Sequence, residues 1–166
     1  LQNHSSFAQM SGLNTNSYQN NQSINCKSLL PKGNTDYHLD FIKKWSAYVS
    51  QSAFNLPYND TEAYLENLKE CFSSDGWSEF SKALNQSGNI GLIKVKQYMT
   101  TTQVVGMVAI NHQQNSNIWE TNTPLQITYQ NANNRVTQQL IVHLRIVKTS
   151  NDLLNVTQIV GIPRQM

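Results

Sequence analysis

The residues of this chain that could do chemistry are four histidines, two cysteines and a thin set of carboxylates. His4, His38, His112 and His143 show no ligand spacing, and Cys26 and Cys71 lie too far apart in sequence to read as half of a zinc site. No Gly-x-Ser-x-Gly occurs, the seven glycines form no phosphate loop, and no cysteine obviously meets a histidine. Acid–base work inside a sheet would need a carboxylate or histidine on an inward strand position. The strand-rich half supplies Glu120, His112 and His143. Glu120 alternates away from the Trp119 face, and His143 alternates away from Leu140, Val142 and Leu144. No catalytic residue, metal ligand or cofactor site is therefore assigned, and an enzyme is not expected.

The cysteines offer the one covalent possibility. A bridge from Cys26 to Cys71 would restrict the unfolded chain by about 4 kcal/mol in the chain-entropy model. It would also hold down an N-terminal segment that has no core of its own. The other reading is two unpaired thiols, with Cys71 in the core and Cys26 incidental. A disulfide implies an oxidising compartment.

Composition narrows the classes further. Only 13% of residues are charged, against about 25% in an ordinary domain. Asn (21) and Gln (16) fill the gap, so the surface is rich in neutral amides. A net charge of +2 excludes the basic footprint of a nucleic-acid-binding domain. That charge is uneven: residues 36–89 carry eight acids and four bases, residues 90–166 two acids and six bases. The two parts can complement each other, or a basic sheet face can meet an acidic partner. The longest apolar run, Leu140 to Val147, is interrupted by His143 and Arg145, so no membrane span is expected in this chain. The start at Leu1 is read as the removal of an upstream signal peptide or membrane anchor.

The elements that must carry these residues follow from periodicity. Residues 1–35 are Asn-, Gln- and Ser-rich and aperiodic, and are read as a polar extension; residues 36–166 form a single domain. Thr35 or Asp36 can cap a first helix reaching about Phe54, with Leu39, Ile42, Trp45, Val49 and Ala53 inward. Asp60 caps a second helix that turns Ala63, Tyr64, Leu65, Leu68, Cys71 and Phe72 inward. The chain turns at Asp75-Gly76. Ser74 or Asp75 starts a third helix, with Trp77, Phe80, Ala83 and Leu84 inward and Gly88 as its stop. Residues 90–95 add a short turn.

The period then changes to two. Strands are expected at 97–112, 117–130, 135–148 and 155–162, with Gly106 at a bulge or bend and Pro124 at an edge or bulge. Three helices followed by four strands read as α+β: N-terminal helices packed in a curved four-stranded antiparallel sheet, a half-open cone.

From Trp45 onward the chain resembles the DotI/IcmL family of type IVB secretion systems. The resemblance rests on CFSSDGWSEFSKAL (71–84), TPLQITYQ (123–130), VTQQLIVHLRIVK (136–148) and TQIVGIP (157–163), in that order. It implies a cystatin-like periplasmic domain of the kind found in inner-membrane core proteins of type IV secretion. Such a domain is a non-catalytic assembly module whose partners are other secretion-system subunits or itself. It brings no catalytic motif to carry over. Family core subunits carry a membrane helix just before this domain, where this chain has its amide-rich extension with Cys26. Either the anchor lay upstream, or the chain is a soluble exported paralogue. The alternative function is such a paralogue binding a small or lipidic ligand in the cone, lined by Trp119, Leu125 and Ile127.

Overall fold

The computed structural model describes residues 26–29 and 37–164. Both cap candidates of the first helix, Thr35 and Asp36, lie outside these. Four helices precede the sheet: α1 (Leu39–Phe54), α2 (Thr61–Leu68), α3 (Ser74–Ser87) and α4 (Asn89–Lys96). Single 3₁₀ turns stand at Cys26–Leu29 and Lys69–Cys71. Five strands follow: β1 (Met99–Val104), β2 (Ala109–Asn111), β3 (Ile118–Gln130), β4 (Arg135–Lys148) and β5 (Leu154–Pro163).

The sheet is antiparallel in the order β1-β3-β4-β5, with β2 continuing along β3 beyond β1. The expected strand 97–112 is thus two strands, which makes five in all. Pro124 is the cause. In an antiparallel ladder the N–H and C=O of one residue point to the same neighbour. The Pro124 carbonyl accepts from the Val105 amide at 3.0 Å, so its missing N–H also faces the β1 side. The ladder therefore breaks there and residues 105–108 loop out, while pairing of β3 with β4 runs uninterrupted from Ile118↔Val147 to Gln130↔Arg135. Gly106 sits on the proline ring: a Cβ there would lie 2.9 Å from Pro124 Cγ. Val105 and Met107, expected in a strand, are exposed.

The helices fill the concave side of the sheet. On α1, Ile42, Trp45, Val49 and Ala53 are buried, as their spacing requires, whereas Leu39 is 46% exposed at the first turn. The helix packs across β3 and reaches β1, where Thr102 donates to the Gln51 carbonyl. Asp60 occupies the position before α2 but in left-handed backbone, and its side chain makes no cap; Thr61 instead donates to the Pro57 carbonyl at 2.8 Å. Leu68 is buried, while Ala63 is exposed.

The third helix starts at Ser74, one of the two expected residues, but Asp75 and Gly76 lie inside it rather than at a turn, and the connection before it, Phe72 and Ser73, is extended backbone. Ser73 caps the helix by accepting from the Gly76 amide at 3.0 Å. Gly88 stops it in left-handed backbone. Phe80 and Leu84 are buried, Trp77 is half-buried and Ala83 is exposed. Residues 90–95, expected as a short turn, lie within the full helix α4 (Asn89–Lys96), which buries Ile93 alone.

Candidate functional site

The cone interior is closed. Trp119, Leu125 and Ile127 on β3 and Leu140, Val142, Leu144 and Ile146 on β4 are all at most 5% exposed, in one core with Ile42, Trp45 and Val49 of α1. The space proposed for a ligand is therefore occupied by the helix. Burying one such side chain is worth about 1.5–3 kcal/mol, so this packing is where the fold draws its stability. His112 belongs to this structure. Its ring stacks on Trp119 with centroids 4.9 Å apart, and its Nε2 meets the Ser116 carbonyl at 2.9 Å. Ser46 and Ser50 on α1 and Thr121 and Thr123 on β3 are fully buried, with hydroxyls that have no hydrogen-bond partner among the described residues. Buried hydroxyls of this kind are ordinarily satisfied by internal water.

Phenols on the flanks tie the helices down. Tyr64 donates to the Ser52 carbonyl at 2.7 Å; burial, followed by the neighbouring Tyr48, pushes its pKa well up. Tyr37 donates to the Asp152 carbonyl at 2.7 Å, and its pKa is raised by burial and then by the Asp152 charge. These groups stay protonated donors and are not poised for proton transfer.

The second structural centre is the stretch Cys26, Cys71–Trp77. Cys26 and Cys71 are joined by a disulfide with Cα atoms 5.2 Å apart, and both are buried. Next to it, Phe72 forms a parallel bridge with Val156 at the outer edge of β5, and the Ser73 amide donates to the Val156 carbonyl at 2.9 Å. Gly76 comes so close that a Cβ would lie 2.5 Å from that carbonyl oxygen. Only glycine fits there, which explains the Gly-Trp pair. Trp77 then joins Phe72 and Phe80 in an aromatic cluster, with centroids 5.3–5.8 Å apart.

The outward face of the sheet carries the remaining sequence candidates. Cross-strand register sets them in rows: Glu120, Arg145 and Gln158; Asn122, His143 and Val160; Pro124, Ile141 and Ile162. His143 Nε2 lies 3.2 Å from Glu120 Oε1, and its Nδ1 lies 3.1 Å from Asn122 Oδ1. Gln139 donates to Gln126 at 3.2 Å. A histidine–carboxylate pair is half of a general-base dyad, but here the carboxylate is half-exposed on a sheet face and no nucleophile adjoins it. Val160 and Ile162 are uncovered, at 41% and 52% exposure. Beyond the Phe72 bridge no described residue pairs with the outer edge of β5. Sequence reasoning placed Glu120 and His143 on this face but overlooked Val160 and Ile162; their strict alternation in β5 was the available signal. Among the described residues no group of three His, Cys, Asp or Glu could hold a metal ion. None of the described helices is long and apolar enough to cross a membrane.

An antiparallel sheet wrapped around one long helix that fills its interior is a cystatin-like cone. It superimposes on an IcmL-like type IV secretion system protein from Legionella pneumophila with a TM-score of 0.73 at 20% identity, over 78% of this chain and 96% of that one. The periplasmic domain of DotI gives 0.72 at 21% identity, over 78% and 98%. A periplasmic fragment of TraM gives 0.66 at 16% identity, over 78% and 100%. These likenesses establish the fold. The chain belongs to the DotI/IcmL family, components of the inner-membrane complex of type IVB secretion systems, whose profile matches residues 26–162. No curated protein matches the sequence.

Proposed function

We propose that this chain is a periplasmic, non-catalytic assembly module of a type IVB secretion system, meeting other subunits or further copies of itself through the outward face of its sheet. In this reading residues 1–35 are an extension stapled at Cys26, and residues 36–166 are the assembly domain. The observation that carries it is the contrast between a cone filled by α1 and an outward face that leaves Val160 and Ile162 uncovered beside the outer edge of β5, where among the described residues only Phe72 pairs. Exposed apolar side chains on a rigid sheet are the usual raw material of a protein interface. The family membership supports the machine, and the buried disulfide supports an oxidising compartment.

The test is affinity capture from cells carrying the secretion system, with native chain and the V160D/I162D variant, alongside sedimentation of the pure protein. Native chain recovers secretion-system subunits or self-associates, and the variant loses both while keeping its melting temperature. A strictly monomeric native chain that recovers no such subunit overturns the reading.

A further inference from the structure

A groove of about 530 Å³ lies at the hairpin end of the outward face, where the end of α4, β1 and the β3–β4 turn meet. Its volume is that of a small-molecule site. Its walls are pinned: Asn131 Nδ2 donates to the Lys96 carbonyl at 2.9 Å, and the Asn131 amide donates to the Asn134 carbonyl at 2.9 Å. The Asn133 amide donates back to Asn131 Oδ1 at 2.9 Å. Gln97 enters in left-handed backbone, φ 53°. Pairing of Met99 with Gln130 sets those two side chains on the same face.

What remains in the groove is uncommitted. The carboxamides of Gln97, Gln130 and Asn133, the Lys96 ammonium and the Tyr58 hydroxyl bond to no described residue. Met99 is 67% exposed. No carboxylate lines the groove, which argues against a cation, and one lysine is too little for a polyanion. Each carboxamide offers a donor and an acceptor in one plane, matched to neighbouring hydroxyls that both give and take hydrogen bonds. Tyr58 and Met99 supply apolar contact for the C–H face of a sugar ring. β1 is an edge strand of the sheet, so an extended peptide added along it is the competing occupant, which the peptide control in the titration separates from a saccharide.

We infer that this groove is a saccharide-binding site, taking a neutral or singly anionic glycan segment. Gln130 lies eight positions along β3 from Asn122, the partner of His143 in the Val160 row. That is roughly 27 Å of extended strand, so the inference stands independently of docking at Val160 and Ile162.

The test is an amide NMR titration of the whole chain with maltotetraose, N-acetylchitotetraose and, as the peptide control, Gly-Ser-Gly-Ser. The expected result is saturable shifts confined to Tyr58 and residues 96–101 and 130–133 with at least one saccharide, at a Kd of about 1–10 mM. Q130A/N133A weakens binding at least roughly fivefold with an unchanged amide spectrum elsewhere, a loss near 1 kcal/mol. Absence of shifts with both sugars at about 20 mM overturns the inference. So do shifts with the peptide alone, or saccharide shifts that Q130A/N133A leaves intact.

Discussion

Leu140, Val142, Leu144 and Ile146 point from β4 into the cone and are at most 5% exposed. Gln139, Ile141, His143 and Arg145, one step out of phase, face outward among amides, an ion pair and the uncovered side chains of β5. One strand thus holds two environments. The inner set belongs to one core with the buried stripe of α1, Ile42, Trp45, Val49 and Ala53. The outer set is polar enough to stay in water and apolar enough to be covered. The difference teaches where this domain can vary: outward residues can change partners without touching what keeps the chain folded.

Substitution across that divide gives the largest effect. L144A should cost about 2–5 kcal/mol in urea denaturation, because it leaves a cavity under α1. R145A, its neighbour in sequence, should stay within about 0.5 kcal/mol. Equal losses at both positions would break the comparison. Next comes C26S/C71S, expected to lower stability by about 2–4 kcal/mol, with free thiols absent from the unreduced native chain by mass spectrometry. G76A tests the docking of α3 on β5. Its new Cβ must displace the Val156 carbonyl, and a loss of about 1–3 kcal/mol in thermal melts is expected despite alanine's better helix propensity.

Smaller still is the Glu120–His143 pair. A double-mutant cycle with E120Q and H143A should return a coupling below about 1 kcal/mol, since both groups are partly exposed. A larger value would make the outward face a stabilising layer. The smallest effect belongs to Glu62, whose carboxylate accepts from Lys94 Nζ at 2.7 Å and titrates below its usual range because of that hydrogen bond. A lowered folded pKa means its contribution is present above the ordinary glutamate pKa and disappears as pH falls through the lowered value. E62Q should slightly flatten the acid limb of the stability curve, and salt should erase the difference.

The inner and outer faces of β3 and β4 were legible in sequence because a period of two is a local property, and both strands lie within a residue of the expected bounds. The break in the first strand was legible only in part, because its cause is Pro124, a residue of the neighbouring strand. In the run from Val104 to Ile110 the local signal is Gly106, read as a bulge or bend, and the loop falls there; its extent over residues 105–108 is set by Pro124. Helix α4 was hidden for another reason: Ile90, Leu92, Ile93 and Val95 spread around the helix, and only Ile93 is buried. Of the groove, residues 131–133 fall between the strands expected at 117–130 and 135–148, and nothing in the sequence joins them to Tyr58 or to residues 96–101. The groove's residues come together only through the register of Met99 with Gln130 and the backbone reversal at Gln97, neither of which has a signature in a single sequence.

The bond between Cys26 and Cys71 also decides where a mechanical load enters the domain. Tension arriving from the residues before Cys26 crosses through sulfur to Cys71 and bypasses residues 27–70. Helices α1 and α2 then carry none of it. The pull is handed to the Phe72–Val156 bridge and the edge of the sheet. With the bond reduced, the same pull would travel along the chain and reach α1 first, drawing the helix out of the cone that it fills.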